Sequence, residues 1–514
     1  MRKLVFVAGA VAALAGGAAE CSVSGFDRPW VIVAEDFGSF FRSEKNEMTK
    51  EGLEEYADEL LAGGKVTHAF WCPIAGCANF DAKATDPVWA KLGEPTAEFG
   101  VVRTENGLMP LDRPETIAAN RRWVENAKKL HDAGVDPYRV LIDRTRANGA
   151  SPWLSIRMPD MLFSCFPNHF LAPSYFVKHP DLLIKPGHGG GSPEFGRAES
   201  RAWFARVVAE VAGRYKDVDG IEIDIVTRSF WLFGSAPEPG SLPRHEMFAR
   251  YLADLKKSVV EQTGNPAVKL ALRVLHDRNL LDGHFGKPNV SFPVDVLIPL
   301  PDTVRLQPLL GWAEKDRYEP FRVMPAVSVA GMTVPQLAGR LSWIRGCGFP
   351  GVMIFEPERA SAAVRNALLK EGLADLRQGV RGPREIGLVR DEYLMEWKRA
   401  AWGYVDIRGT YPWKLDKPWK YEFALQEGSV AEKGVVAEMS YNSFAVPPAV
   451  YLNGRKSTFC RKNGSTATYG FPKDAVLGGV NQLYVPAVES DEFDLEEETE
   501  NTPSVTGAIV KIDE

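Results

Sequence analysis

Between Lys216 and Trp231 the chain reads KDVDGIEIDIVTRSFW, which sets Asp219, Glu222 and Asp224 into an apolar run of Val218, Ile221, Ile223, Ile225 and Val226. An ionised carboxylate in apolar surroundings needs a partner or gives up its charge. Strand periodicity puts Glu222 and Asp224 on one face and Ile221, Ile223 and Ile225 on the other. Asp219 has the second parity and stands beside Gly220, where an acid turns or caps the start of the strand. Glu222 lies one layer deeper than Asp224 and is expected to pair with an inward arginine, Arg157 or Arg273. Asp224 is expected to reach the end of the strand and to meet a substrate.

Other apolar runs close on polar groups in the same way: Glu35 and Asp36, Arg157 and Asp160, His276 and Asp277, and Glu356. Glycosidic cleavage uses two carboxyl groups flanking the bond, one protonated to assist the leaving oxygen and one ionised as base or nucleophile. Asp224 and Glu356 are assigned to that pair. Asp36 and Asp160 stand behind Glu356 as further acids, and Glu222, Arg157 and His276 support the site. Trp71, Phe230, Trp231 and Trp312 follow or end strand runs and are suited to stacking on sugar faces.

The elements that must hold these groups alternate along the chain. Strand-like runs fall at Trp30–Phe37, Val66–Cys72, Pro152–Met158, the stretch quoted above, Val268–Leu275, Val294–Leu300, Arg322–Val329 (broken by Pro325) and Gly351–Glu356, with amphipathic helical stretches between them. Strands and helices alternating over about 350 residues predict an α/β fold, a (β/α)₈ TIM barrel over residues 20–380, with its active site at the C-terminal strand ends. From Arg384 the helical period stops. Short alternating runs with turns such as LNGRK predict an all-β C-terminal sandwich, jelly-roll-like, over 384–514. The run Glu489–Glu500 carries eight acidic residues and reads as a solvated loop rather than a calcium site.

The 514 residues carry a formal net charge of -6, without the basic stripe that phosphate contacts require. No nucleic acid is therefore expected as partner and a neutral one is, which the carboxylate pair makes a carbohydrate. Oligomeric state is left open. Arg2 and Lys3 ahead of the apolar run Leu4–Leu14, with small residues at Gly17 and Ala19, predict a signal peptide over residues 1–19 and a secreted or periplasmic protein. No later segment has the apolar length of a transmembrane helix. There is no CxxC or HExxH, and the eight histidines are scattered, so neither a metal nor another cofactor is expected. Cys72 and Cys77 are close enough to bridge in an oxidising compartment, while Cys72 reads equally as a small buried hydrophobe.

DGIEID, from Asp219 to Asp224, resembles the fourth-strand motif of family-18 chitinases, D-G-x-D-x-D-x-E. Glu222 replaces the middle aspartate, and Val226 stands where that family has its catalytic glutamic acid. A broader likeness joins Arg146–Met161, Val177–Leu183 and the fourth strand, which together look like the secreted family-10-like glycosyl hydrolase barrels of bacteria. Ser155, Arg157, Met158 and Asp160 match the S-x-R-M-N-D-x-H pattern of that group, with Pro159 for the asparagine and Leu162 for the histidine. Asp219, Gly220, Glu222 and Asp224 match its fourth-strand pattern, and Arg228, shifted by one position, is carried over as a substrate contact. VYLNGRK and Tyr469–Val485 are similar to the galactose-binding-like domains appended to many glycosidases, where "LNG" and "G-x-N-x-L" are structural signatures.

The resemblance implies an exported glycoside hydrolase acting on a polysaccharide or oligosaccharide. Two other readings stand beside it: a catalytically degenerate glycan-binding protein, favoured if Asp224 has only arginines for neighbours, and a polysaccharide lyase with His276 as base. Fold alone does not decide between them.

Overall fold

The computed structural model describes residues 29–61, 63–95, 97, 99–100, 114–158, 167–184, 192–225, 232–233, 242–275, 285–287, 290–300, 322–346, 349–369, 384–387, 413–414, 419–425, 434–441, 448–476, 479–486 and 504–513. Its larger sheet is built from β1 (Trp30–Ala34), β2 (His68–Ala75), β3 (Cys77–Ala78), β4 (Ser151–Arg157), β5 (Gly220–Asp224), β6 (Lys269–Leu275), β7 (Val296–Leu300), β8 (Arg322–Val323), β9 (Ala326–Ser328) and β10 (Gly351–Phe355). The hydrogen-bonded order is β8-β7-β6-β5-β4-β2-β1-β10-β9. All of these pairs are parallel, and β3 turns back antiparallel on β2.

The two strands at the ends of that order, β8 and β9, are separated in the chain by Met324 and Pro325 alone. Met324 N donates to Leu297 O on the β7 side, and Met353 N on β10 donates to Pro325 O. Proline has no N–H for a ladder. The run Arg322–Val329 therefore exchanges one neighbour for the other at the break, and the sheet curls.

Side chains of alternate parity divide into two cores. Trp30, Ile32 and Ala34 of β1 join Phe70, Trp153, Ala271, Ile298, Met324 and Met353 inside the curl. Val31, Val33, Trp71, Ile221 and Ile223 face the helices. These include α1 (Ser39–Arg42), α2 (Lys50–Leu61), α3 (Pro114–Asp132), α4 (Pro137–Ala147), α5 (Ser174–Lys178), α6 (Ala198–Arg214), α7 (Arg244–Thr263), α8 (Val334–Gly346) and α9 (Ala362–Leu369). Helix α4 shows how the sequence sets a boundary. Asp136 caps it by accepting from Tyr138 N and Arg139 N, Pro137 opens its first turn, and the left-handed Gly149 follows its end. Each large apolar side chain buried between strand and helix contributes roughly 1.5–3 kcal/mol relative to exposure.

The C-terminal part is antiparallel. One sheet contains β11 (Arg384–Gly387), β12 (Trp413–Lys414), β14 (Gly434–Tyr441), β17 (Thr458–Asn463), β18 (Thr466–Phe471) and β20 (Ser504–Asp513). The other has β13 (Trp419–Leu425), β15 (Tyr451–Leu452), β16 (Arg455–Lys456) and β19 (Gly479–Val485). Buried residues of both, among them Val435, Ala437 and Val510 with Leu452 and Leu483, form a single core. The LNG turn is structural. Asn453, in left-handed backbone, donates to Ala475 O and Asn481 Oδ1, and its own Oδ1 accepts from Gln482 N.

Candidate functional site

The parallel register sets Arg157 and Asp224, at the ends of β4 and β5, side by side with Arg273, two residues before the end of β6, and puts Ser155 and Glu222 one layer below. Arg273 reaches down to that layer. Its Nε donates to Glu222 Oε1 at 2.9 Å and its Nη2 to Oε2 at 2.5 Å, with Ser155 Oγ at 3.4 Å. The guanidinium lies 4.6 Å from the centroid of Phe355. Burial pushes the Arg273 pKa down, but Glu222 and Asp224 outweigh it and hold the group well above the ordinary arginine value. Glu222 thus has the arginine partner expected of it. Asp219, at the strand start, accepts from Ser151 Oγ and Arg146 Nη2 and serves the structural role read from its parity.

Asp224 lies between the two arginines, its Oδ2 3.5 Å from Arg157 Nε and 3.6 Å from Arg273 Nη1, and is 2% exposed. Arg157 in turn pairs through Nη2 with Asp36, just beyond β1. Asp36 is the more accessible acid of the two, at 16%. Its burial alone would raise its pKa, but Arg157 and Arg42 prevail and hold it below the usual aspartate value. Arg157 is therefore the link between Asp224 and Asp36.

Glu356 stands at the end of β10, where Glu356 N donates to Ala34 O of β1. Its backbone is left-handed (φ 57°, ψ 48°), an unfavourable conformation for a residue with a side chain, and Pro357 follows it. The carboxyl is 1% exposed. Oε1 accepts from Arg359 Nη1 at 3.0 Å, while Oε2 is buried with no hydrogen-bond partner among the described residues. Burial first, then the charge of Asp36, pushes its pKa up to about 8 against the opposing pull of Arg359.

Two further acids complete the cluster. Glu358 Oε1 accepts from Asp36 N, and burial raises its pKa to about 7. Glu35 turns toward the helices, where Oε1 accepts from Phe40 N and Tyr56 Oη. Burial and Glu358 raise its pKa well above the ordinary value. Sequence periodicity does not find Glu358 or Arg359, because both follow the strand. The signal available was the density of charge in EPER directly after an apolar run.

The structure thus gathers Asp36, Arg157, Glu222, Asp224 and Glu356 at one end of the sheet. Trp71 is a correction. Its parity is that of the helix-facing side, it is 1% exposed, and its indole N–H donates to Thr145 Oγ1 on α4, so it is a packing residue and offers no face to a sugar. Cys72 and Cys77 are both buried free thiols, pushed above the ordinary cysteine pKa by burial. The bridge between them is absent, and the reading of Cys72 as a small hydrophobe is the one that fits. Asp160, Arg228, Phe230, Trp231, His276, Asp277 and Trp312 lie outside the described residues, as does the signal segment. Among the described residues no helix is long and apolar enough to cross a membrane.

No protein-family profile matches the sequence, and no curated protein matches it. Among solved structures, the chain is similar to the PgaB (BpsB) glycoside hydrolase domain from Bordetella bronchiseptica, with 9% identity, a TM-score of 0.43, and 68% of this chain and 98% of that one covered. It is similar to a GH27 β-L-arabinopyranosidase from Geobacillus stearothermophilus at 10% identity and a TM-score of 0.38, covering 91% of this chain and 98% of that one. A GH36 α-galactosidase from the same organism gives 10% identity and a TM-score of 0.37 over 90% of this chain and 56% of that one. The chain thus spans about half the length of that enzyme.

Proposed function

We propose that the chain is an exported glycoside hydrolase acting on a polysaccharide or oligosaccharide, with Glu356 as general acid and Asp36 as the ionised base or nucleophile. The observation that carries this reading is a pair of neighbouring acids driven in opposite directions. Burial keeps Glu356 protonated to about pH 8, while Arg157 and Arg42 keep Asp36 ionised. Such divergence separates acid from base in carboxylate chemistry. In this reading Glu356 gives its proton to the leaving glycosidic oxygen, and Asp36 activates water or attacks the anomeric carbon. Asp224 passes from the catalytic pair to a positioning role, since it is buried between Arg157 and Arg273 at 2% exposure where Asp36 keeps 16%. We read the curled sheet as an eight-stranded (β/α)₈ barrel whose seventh strand is split at Pro325, of the family-10-like kind.

The engagement of Asp224 by two arginines also favours a second reading, a glycan-binding protein on a barrel that has lost its chemistry. A polysaccharide panel separates the two. Cleavage by the wild type that Glu356→Gln abolishes supports the hydrolase, whereas binding without cleavage supports the binder.

A further inference from the structure

We propose that the protein carries a second saccharide site, for a carboxylate-bearing sugar unit, in a cavity between the segment 83–86 and helices α5 and α6. The cavity has a volume of about 650 Å³ and includes Tyr175, Trp203, Lys178, Arg206 and Glu210 in its wall. None of its lining residues belongs to the carboxylate and arginine cluster described above.

The aromatic part of the wall is built as a ledge. Tyr175 stacks on Trp203 at 6.0 Å with an interplanar angle of 15°, and the Arg206 guanidinium lies 5.8 Å from the Tyr175 centroid. Phe176 packs edge-on against Trp203 at 4.8 Å and holds the indole in place. Tyr175 stays half-buried on this support, and an aromatic side chain held in that way is suited to packing against the apolar part of a pyranose.

The polar part of the wall is unbalanced. Both oxygens of Glu210 are taken by backbone donors, Lys83 N at 2.7 Å and Ala84 N at 2.6 Å. Asp86 accepts from Ser174 N. The donors are less engaged. Among the described residues Lys178 and Arg206 make no ion pair and both are exposed, while the buried Trp203 keeps an indole N–H without a hydrogen-bond partner. With the oxygens of Glu210 and Asp86 turned to backbone donors and the side-chain donors of Lys178 and Arg206 left toward solvent, the wall is richer in free donors than in free acceptors, which fits a ligand rich in acceptors and carrying negative charge. Together with the ledge, that chemistry is a uronate-type sugar rather than a neutral one.

The site does not depend on the hydrolase reading and would stand if the chain cleaved nothing. Its test is calorimetric titration of the full chain with trigalacturonate, its methyl ester and inorganic phosphate. Wild type, Arg206→Ala, Tyr175→Ala and Glu356→Gln proteins are compared. The expected result is that trigalacturonate binds at least tenfold more tightly than the ester or phosphate. Arg206→Ala and Tyr175→Ala each raise its Kd at least tenfold, and Glu356→Gln leaves it unchanged. Arg206 is exposed, so its truncation leaves the fold intact and makes that variant decisive. Equal affinity for the ester or for phosphate, no binding, or a Kd unmoved by Arg206→Ala overturns the proposal.

Discussion

Glu356 is held in a conformation that a side chain disfavours, stripped of solvent, with one oxygen bonded to Arg359 and the other bare among the described residues. Backbone strain of this kind persists where the surroundings over-determine it, and it clusters at functional sites. Here Ala34 O fixes the Glu356 amide, and Pro357 fixes the chain beyond it. If Glu356 is the proton donor, kcat/KM should fall above about pH 8 as the carboxyl ionises, and Glu356→Gln should lower kcat by roughly 10²–10⁴. On the same reading the acid limb belongs to Asp36. Removing the adjacent cation with Arg157→Gln should move that limb upward, because the neutral form of Asp36 then gains ground. An acid limb that stays in place in this variant would remove Arg157 from the role given to it.

At the scale of the element, the site depends on strands that stay close. A Cβ at Gly351, the first residue of β10, would meet Trp30 O at 2.5 Å, a backbone atom with no freedom to withdraw. Gly351→Ala should cost about 1–3 kcal/mol, read by chemical denaturation, and should lower activity by displacing Glu356. The layer beneath the site is equally specific. Breaking a buried ion pair by removing one partner costs roughly 3–5 kcal/mol, so Arg273→Ala should be strongly destabilising, while Arg273→Met with Glu222→Met should recover much of the loss. Strand period and strand ends were legible from sequence: Glu222 and Asp224 share a face, Glu222 has its arginine, and Pro325 marks the break in the sheet. The partners of Asp224 were not, because Arg157 and Arg273 become its neighbours only through the register between strands. Trp71 failed for a related reason. A tryptophan ending a run looks like a platform until its parity and the Thr145 hydroxyl on α4 are known.

For the whole molecule, the buried acids give stability a direction with pH. Glu356 and Glu358 have folded pKa values of about 8 and about 7, above their ordinary value of 4.5, and Glu35 is raised as well. Their contribution is complete below about 4.5 and is lost as pH rises through the folded values. Asp36 has the opposite sign, and its contribution is lost as pH falls. His68 and His169, pushed down to about 3 by burial, oppose this trend up to about pH 6.5, so thermal melting should drop between about pH 7 and about pH 9, where a tenfold change in the proton affinity of a buried group on folding is worth about 1.4 kcal/mol. Glu356→Gln should flatten the slope. The free thiols add a check on the fold: Cys460 is exposed and should alkylate in the native protein, while Cys72 and Cys77 should react only after denaturation.

The pairing of a protonated Glu356 with an ionised Asp36 is the central claim, and a polysaccharide panel run with wild type, Glu356→Gln and Asp224→Asn tests it most directly. The expected result is cleavage of at least one glycan by the wild type, loss of that cleavage in Glu356→Gln with the fold intact, and in Asp224→Asn a fall in stability accompanying any fall in rate. Full activity in Glu356→Gln, or a wild type that binds glycan and cleaves none, would contradict it.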